Sequence, residues 1–153
     1  MKTNKTYLHI LMHIGKLLEL RINEALADIG IHHGQGRVLV NLVNYGKMTQ
    51  ADLARGLQIA PATLTKMLRP LEKRRLITRT IDKKTNRAMV IELTSEGKKL
   101  ALLVQRAWRR IEQAMNETVP DSHSSQLFAH LENFREVLGG SEPVFVPYEG
   151  KKP

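Results

Sequence analysis

"MTQADLARGLQIAPATLTKMLRPLEKRRLITR", Met48 to Arg79, followed by "DKKTNRAMVIELTSEG", Asp82 to Gly97, holds the pattern that decides the fold. Thr49 and Asp52 have the spacing of a helix capping box, and Leu53, Ala54 and Leu57 form the inner face of a short helix. Pro61 suits the first position of the next helix, because the N–H it lacks has no partner to lose there. Leu64, Met67, Leu68 and Leu71 make one stripe of that helix, with Lys and Arg over much of the remainder. Pro70 cannot donate to the carbonyl of Lys66, which predicts a bend inside this helix. After Leu76 the period changes to two, and "ITRTI" and "RAMVIEL" read as strands joined by "DKKTN". Two short helices, a tight turn and a β-hairpin make a winged helix-turn-helix.

Upstream, Leu8, Leu11, Met12, Leu18, Ile22, Leu26 and Ile29 recur at helical spacing from about Lys5, and Gly30 stops the run. A helix of about six turns opening so small a chain needs a partner surface. A second helix from Gly34 to Tyr45 places Val38, Leu39, Leu42 and Val43 inward. Downstream, Thr94 opens a long helix with Leu100, Leu103, Val104, Ala107, Ile111, Ala114 and Met115 on its stripe. "VPDSHSS" reads as a turn before a last helix with Leu127, Leu131, Phe134, Val137 and Leu138. The fold class is therefore mainly α with a small β-hairpin wing. It is one domain over residues 1–140, with the winged lobe at 31–97, flanking helices at 5–29 and 98–138, and a tail at 141–153. The tail carries Val144, Phe145, Val146 and Tyr148, apolar enough to be expected against a partner subunit.

The 153 residues carry a formal net charge of +9, no cysteine and 5% aromatics. Absence of cysteine excludes disulfides and thiolate metal sites, and the low aromatic content argues against single-strand binding by base stacking. Nothing at the N-terminus reads as a signal peptide and no apolar run reaches membrane-spanning length, so a cytoplasmic protein without a membrane partner is expected. Residues 61–110 hold 14 basic and 4 acidic groups, a net of +10, which leaves −1 for the rest. Such concentration makes a footprint for phosphates a better reading than a merely solvated face.

An α-helix fits the major groove, and the first turns of the fourth helix offer Ala62, Thr63, Thr65, Lys66 and Arg69 to base edges or phosphates. Thr49, heading the preceding helix, is placed with them. The hairpin tip carries Lys83, Lys84 and Arg87, suited to an adjacent minor groove or backbone.

The quoted stretch and its wing resemble the MarR family of bacterial and archaeal transcriptional regulators, most specifically over residues 31–97. The family's wing motif appears as Asp82, Lys84, Arg87, Leu93, Thr94 and Gly97. The resemblance implies a homodimer joined by its first and last helices, with two winged lobes on palindromic double-stranded DNA. It implies Arg87 at the minor groove and Asp82 holding the wing base, through Arg79. It also implies a small-molecule effector beside the interlobe cleft, where His9, His13, His33 and Gly36 are the candidate lining. The chain departs from the family pattern at three places. Lys84 stands where arginine is common, and Arg75 where a glycine usually ends the helix. His32 and His33 replace a Thr-Pro cap, while Gly36 replaces a bulky residue and is expected to open space.

His9 and His13, spaced i, i+4, share a helix face, but two ligands are too few for a metal centre and ordinary dimer-interface or pocket-lining histidines are the better reading. Trp108 is read as a packing residue. No Ser-His-Asp spacing, phosphate-cradling glycine loop or carboxylate pair stands out, which argues against an enzyme and against a cofactor. The alternatives to a sequence-specific regulator are a winged-helix binder of DNA or RNA without sequence preference, and a metal-responsive regulator.

Overall fold

Helix α1 (Tyr7–Leu26) starts where Thr6, in extended conformation, accepts a hydrogen bond from the His9 N–H at 3.3 Å. The computed structural model describes residues 6–145. A 3-10 turn, Ala27–Ile29, follows α1 and ends at Gly30, whose φ of +63° a side-chain-bearing residue adopts only at a cost.

Helix α2 (His33–Tyr45) keeps a capped start in spite of His32 and His33. Asn23 of α1 accepts from the His33 N–H at 2.7 Å, and Gln35 reaches back to the His32 N–H at 3.3 Å. The expected space at Gly36 is also filled. A Cβ there would lie 3.2 Å from Val104 and 3.3 Å from Leu26, so glycine permits close packing of α2 against the end of α1 and the helix that carries Val104, and opens nothing.

Strand β1 (Met48–Thr49) is a two-residue element the sequence does not announce. It pairs antiparallel with β3 (Met89–Leu93), which pairs on its other side with β2 (Ile77–Ile81), in the order β1-β3-β2. Helix α3 (Gln50–Leu57) is capped by Thr49, which accepts from the Asp52 N–H at 3.1 Å and donates to the Asp52 carboxylate at 2.6 Å. Helix α4 (Pro61–Lys73) continues as a helix through Pro70 and ends one turn later. Its terminus keeps the left-handed form usually left to glycine. Arg75 has φ +57°, with Arg75 N–H on the Glu72 carbonyl at 2.8 Å and Leu76 N–H on that of Leu71 at 2.9 Å.

Helix α5 (Ser95–Asn116) is capped by Thr94, which accepts from the Gly97 N–H at 3.0 Å. Helix α6 (Asp121–Val137) begins directly after Pro120, so "DSHSS" is its first turns and not a turn region. Among the described residues no helix is long and apolar enough to cross a membrane.

The core is the winged lobe. Leu39, Leu53, Leu57, Leu64, Leu68, Leu71 and Ile91 are fully buried, joined by Val104 of α5. Burying each such side chain contributes about 1.5–3 kcal/mol. The flanking helices are different: α1 buries only Leu26 and α6 buries nothing. Their stripes lie open, with Leu8 67%, Met12 69% and Phe128 65% exposed. An apolar hollow of about 830 Å³ between α1, α5 and α6 is lined by Ile14, Leu18, Ile111, Met115, Leu127 and Leu131.

The tail does not need a partner subunit to find a surface. Phe145 sits on α3, its ring carbons 2.5 and 2.6 Å from where a Cβ on Gly56 would be. The ring stacks on Tyr45 at 5.0 Å with planes 16° apart, and Gln58 donates to the Ser141 carbonyl at 3.3 Å. The chain's own lobe thus holds the tail at Ser141 and Phe145; Val146 and Tyr148 lie outside the described residues.

Candidate nucleic-acid interface

Burial of Leu64, Leu68 and Leu71 against the lobe fixes which side of α4 faces out. Ala62, Lys66 and Arg69, at i, i+4 and i+7, share the exposed side, and Thr63 flanks them, also exposed. Thr65 is half-buried, at the seam between α4 and α3. Its hydroxyl donates to the Pro61 carbonyl at 3.0 Å and accepts from Gln50 Nε2 at 3.0 Å. The side chain of Thr49 is committed to capping α3, so its hydroxyl proton is already spent on Asp52.

The wing is held from within. Asp82 is buried, and its carboxylate accepts from the Lys84 N–H at 3.1 Å and from the Thr85 hydroxyl at 3.1 Å. Thr85 accepts in turn from the Ala88 N–H at 3.2 Å, and Asn86 takes a left-handed φ of +50° to turn the tip. This leaves Lys83, Lys84 and Arg87 exposed on one loop. Arg79 ties wing to helices: it donates to Glu72 of α4 at 3.3 Å and to Gln50 of α3 at 3.1 Å. Asp82 supports the wing tip, and Arg79 supports its root on α3 and α4.

Not every basic group in the +10 segment faces outward for phosphates. Arg74 clamps the end of α4 to the end of the 3-10 turn, donating to the carbonyls of Gly30 at 2.7 Å and Ile29 at 3.0 Å. Lys99 pairs with Glu96 at 2.7 Å. Sequence reasoning missed Gln50, which joins Arg79 to Thr65; a polar residue at the first position of a short helix carries no signal by itself.

The candidate effector lining is not gathered in one place. His9 and His13 are exposed on α1, and His13 lies ten residues, roughly 15 Å along the helix, before Asn23, which touches His33. His33 instead faces Trp108 of α5, ring centroids 6.3 Å apart. Nδ1 of His33 and Nε1 of Trp108 are buried without a hydrogen-bond partner among the described residues. Burial, then the nearby Arg37 charge, holds the His33 pKa below its usual value, so the neutral ring is favoured. Among the described residues no three His, Asp or Glu side chains come together in a way that could hold a metal ion.

Comparison with known proteins agrees with this architecture. The model of the MarR family matches residues 31–89. The transcriptional repressor MdtR of Bacillus subtilis is 31% identical over 74 residues, 48% of each chain, so the match spans about half of that relative's length. The crystal structure of a MepR–DNA complex from S. aureus superposes with a TM-score of 0.84 at 26% identity, covering 88% of this chain and 99% of that one. MarR from E. coli in its reduced form superposes at 0.73 with 18% identity, over 85% of this chain and 96% of that one, a likeness of fold.

Proposed function

We propose that the chain is a transcriptional regulator of the MarR family, not an enzyme, that binds a palindromic operator in duplex DNA as a homodimer. The observation that carries this reading is the exposed side of α4, with Ala62, Lys66 and Arg69, beside a wing tip bearing Lys83, Lys84 and Arg87. Helix and wing are braced against each other through Arg79, Gln50 and Glu72. A helix for the major groove and a basic loop for the neighbouring backbone or minor groove is the docking the geometry supports. The MepR structure with this fold is itself a DNA complex, which supports the same docking.

Homodimerisation rests on the open stripes of α1 and α6. Apolar side chains such as Leu8, Met12 and Phe128 form a surface that a monomer would expose to water, and a second copy covers it. The effector reading rests on His33 of α2 and Trp108 of α5, neighbouring rings whose buried nitrogens have no hydrogen-bond partner among the described residues and would be satisfied by a small polar molecule.

Selection from random duplexes tests the function. Two half-sites about one helical turn apart, bound by a dimer in sedimentation, are expected. Equal affinity for random duplex and for RNA would instead support a binder without sequence preference. Arg87→Ala should weaken binding to every sequence and reduce the slope of log affinity against log salt by about one. An unchanged slope would remove the wing from the interface.

A further inference from the structure

The hydrogen-bond chain from the wing root to the recognition helix has a direction that only one arrangement satisfies. Arginine donates and never accepts. Arg79 lies 3.1 Å from the Gln50 amide, so the atom facing it is the amide oxygen, and the amide nitrogen must face Thr65. That nitrogen, 3.0 Å from Thr65 Oγ1, also only donates. The Thr65 hydroxyl therefore accepts from Gln50, and its one proton goes to the Pro61 carbonyl, 3.0 Å away. Both the donor and one of the two lone pairs of the hydroxyl are used inside the protein. This also fixes the side-chain rotamer, because the oxygen is held from two sides.

What Thr65 has left to offer is one lone pair, with no proton to donate, and its methyl group. Ala62, one turn earlier on the same side of α4, offers another, and Lys66 and Arg69 border the two. In the major groove, the base feature that matches a methyl is the 5-methyl group of thymine. Resting on the assignment of α4 as the reading helix, we propose that Thr65 is a specificity-determining residue that recognises a thymine methyl, and that Gln50 and Arg79 are positioning residues that hold its hydroxyl away from the DNA. The wing root and the base-reading side chain are thereby one unit: Glu72 fixes Arg79, Arg79 orients Gln50, and Gln50 sets the face Thr65 presents.

The rival use of Thr65 is through its remaining lone pair, accepting from the amino group of adenine or cytosine. Two near-isosteric variants separate these uses. Thr65→Val keeps the methyl and loses the oxygen; Thr65→Ser keeps the oxygen and loses the methyl. On the operator selected by the wild-type protein, each thymine of a half-site is replaced in turn by deoxyuridine, which removes only the 5-methyl group. At one position the loss should weaken wild-type binding about fourfold, the value for one buried methyl-sized group. Thr65→Val should keep that sensitivity and the thymine preference. Thr65→Ser should bind thymine and deoxyuridine equally there. Gln50→Ala frees the hydroxyl to turn toward the groove, so it should broaden the selected base at that position while the rest of the site is unchanged. Indifference of the wild type to every deoxyuridine substitution would overturn the proposal, as would thymine preference kept by Thr65→Ser and lost by Thr65→Val. A wild-type protein that selects no sequence at all would refute the functional reading itself, an outcome distinct from either.

Discussion

Gly97→Ala is the substitution the structure penalises most directly. Gly97 is the third residue of α5, and its N–H bonds to the Thr94 cap at 3.0 Å. A Cβ built on it falls inside the carbonyl oxygen of Leu76 and 3.2 Å from Leu93. The first obstacle is backbone, so no side-chain rotation relieves it; either the start of β2 or the start of α5 must withdraw. That carbonyl also accepts from the Thr94 N–H at 3.0 Å, and the Thr94 hydroxyl donates to the Arg75 carbonyl at 2.7 Å. Withdrawal stretches these bonds together with the cap. With about 1 kcal/mol for each bond weakened, and overpacking of about 1–3 kcal/mol as a check, the cost is about 2–4 kcal/mol. For a chain of this size that corresponds to a fall in Tm of roughly 5–15 °C. Thermal and urea denaturation of both proteins at one fixed concentration measure it, since the proposed dimerisation would make Tm depend on concentration. A change below about 0.5 kcal/mol would show that the wing base and α5 are not packed as described, and with them the support of the wing would be misassigned.

Three other outcomes follow from single positions. Arg75→Gly relieves a left-handed residue that costs about 1–2 kcal/mol, less the greater freedom of glycine when unfolded, so a net gain of about 0.5–1 kcal/mol in urea titration is expected; destabilisation would place the residue in another conformation. His33 has a folded pKa below its unfolded value, so below about pH 6.5 the unfolded chain takes up a proton that the folded one resists, and stability falls with falling pH. His33→Gln should flatten that part of the profile, and identical profiles between about pH 7 and 5 would contradict the burial of the ring. Phe145→Ala should cost about 1–2 kcal/mol, less than for a fully buried ring, and Gly56→Ala a similar amount by displacing the same ring. The double variant should cost little more than either alone, whereas full additivity would mean the tail is not seated on Gly56.

How much of this was visible in the sequence depends on the range of the forces involved. The stripe of Leu64, Leu68 and Leu71 was legible because one period of 3.6 residues encodes which side is buried. The hairpin was legible for the same reason at period two, although Ile81 proved exposed where Ile77 is buried. Strand β1 was not legible: two residues have no period, and Met48 and Thr49 are a strand only because Val90 and Ile91 lie opposite. The capped start of α2 was hidden because Asn23 supplies it from another helix. The seat of Phe145 was hidden because it is made by an atom that Gly56 lacks.

The interface shows the same division more sharply. Charge concentration pointed to the candidate segment, since the sum of many Lys and Arg in one segment survives ignorance of where each points. It could not separate Lys66, exposed on α4, from Arg74, whose guanidinium is turned to the carbonyls of Ile29 and Gly30. Nor could it separate Thr63, exposed on α4, from Thr49, whose hydroxyl closes a helix. A residue's type states what it can bond to; only its neighbours state whether that capacity is already used. For Thr65 the neighbours are Gln50 and Pro61, and their claim on the hydroxyl turns a residue with two possible uses in a groove into one whose remaining offer to a base is chiefly apolar.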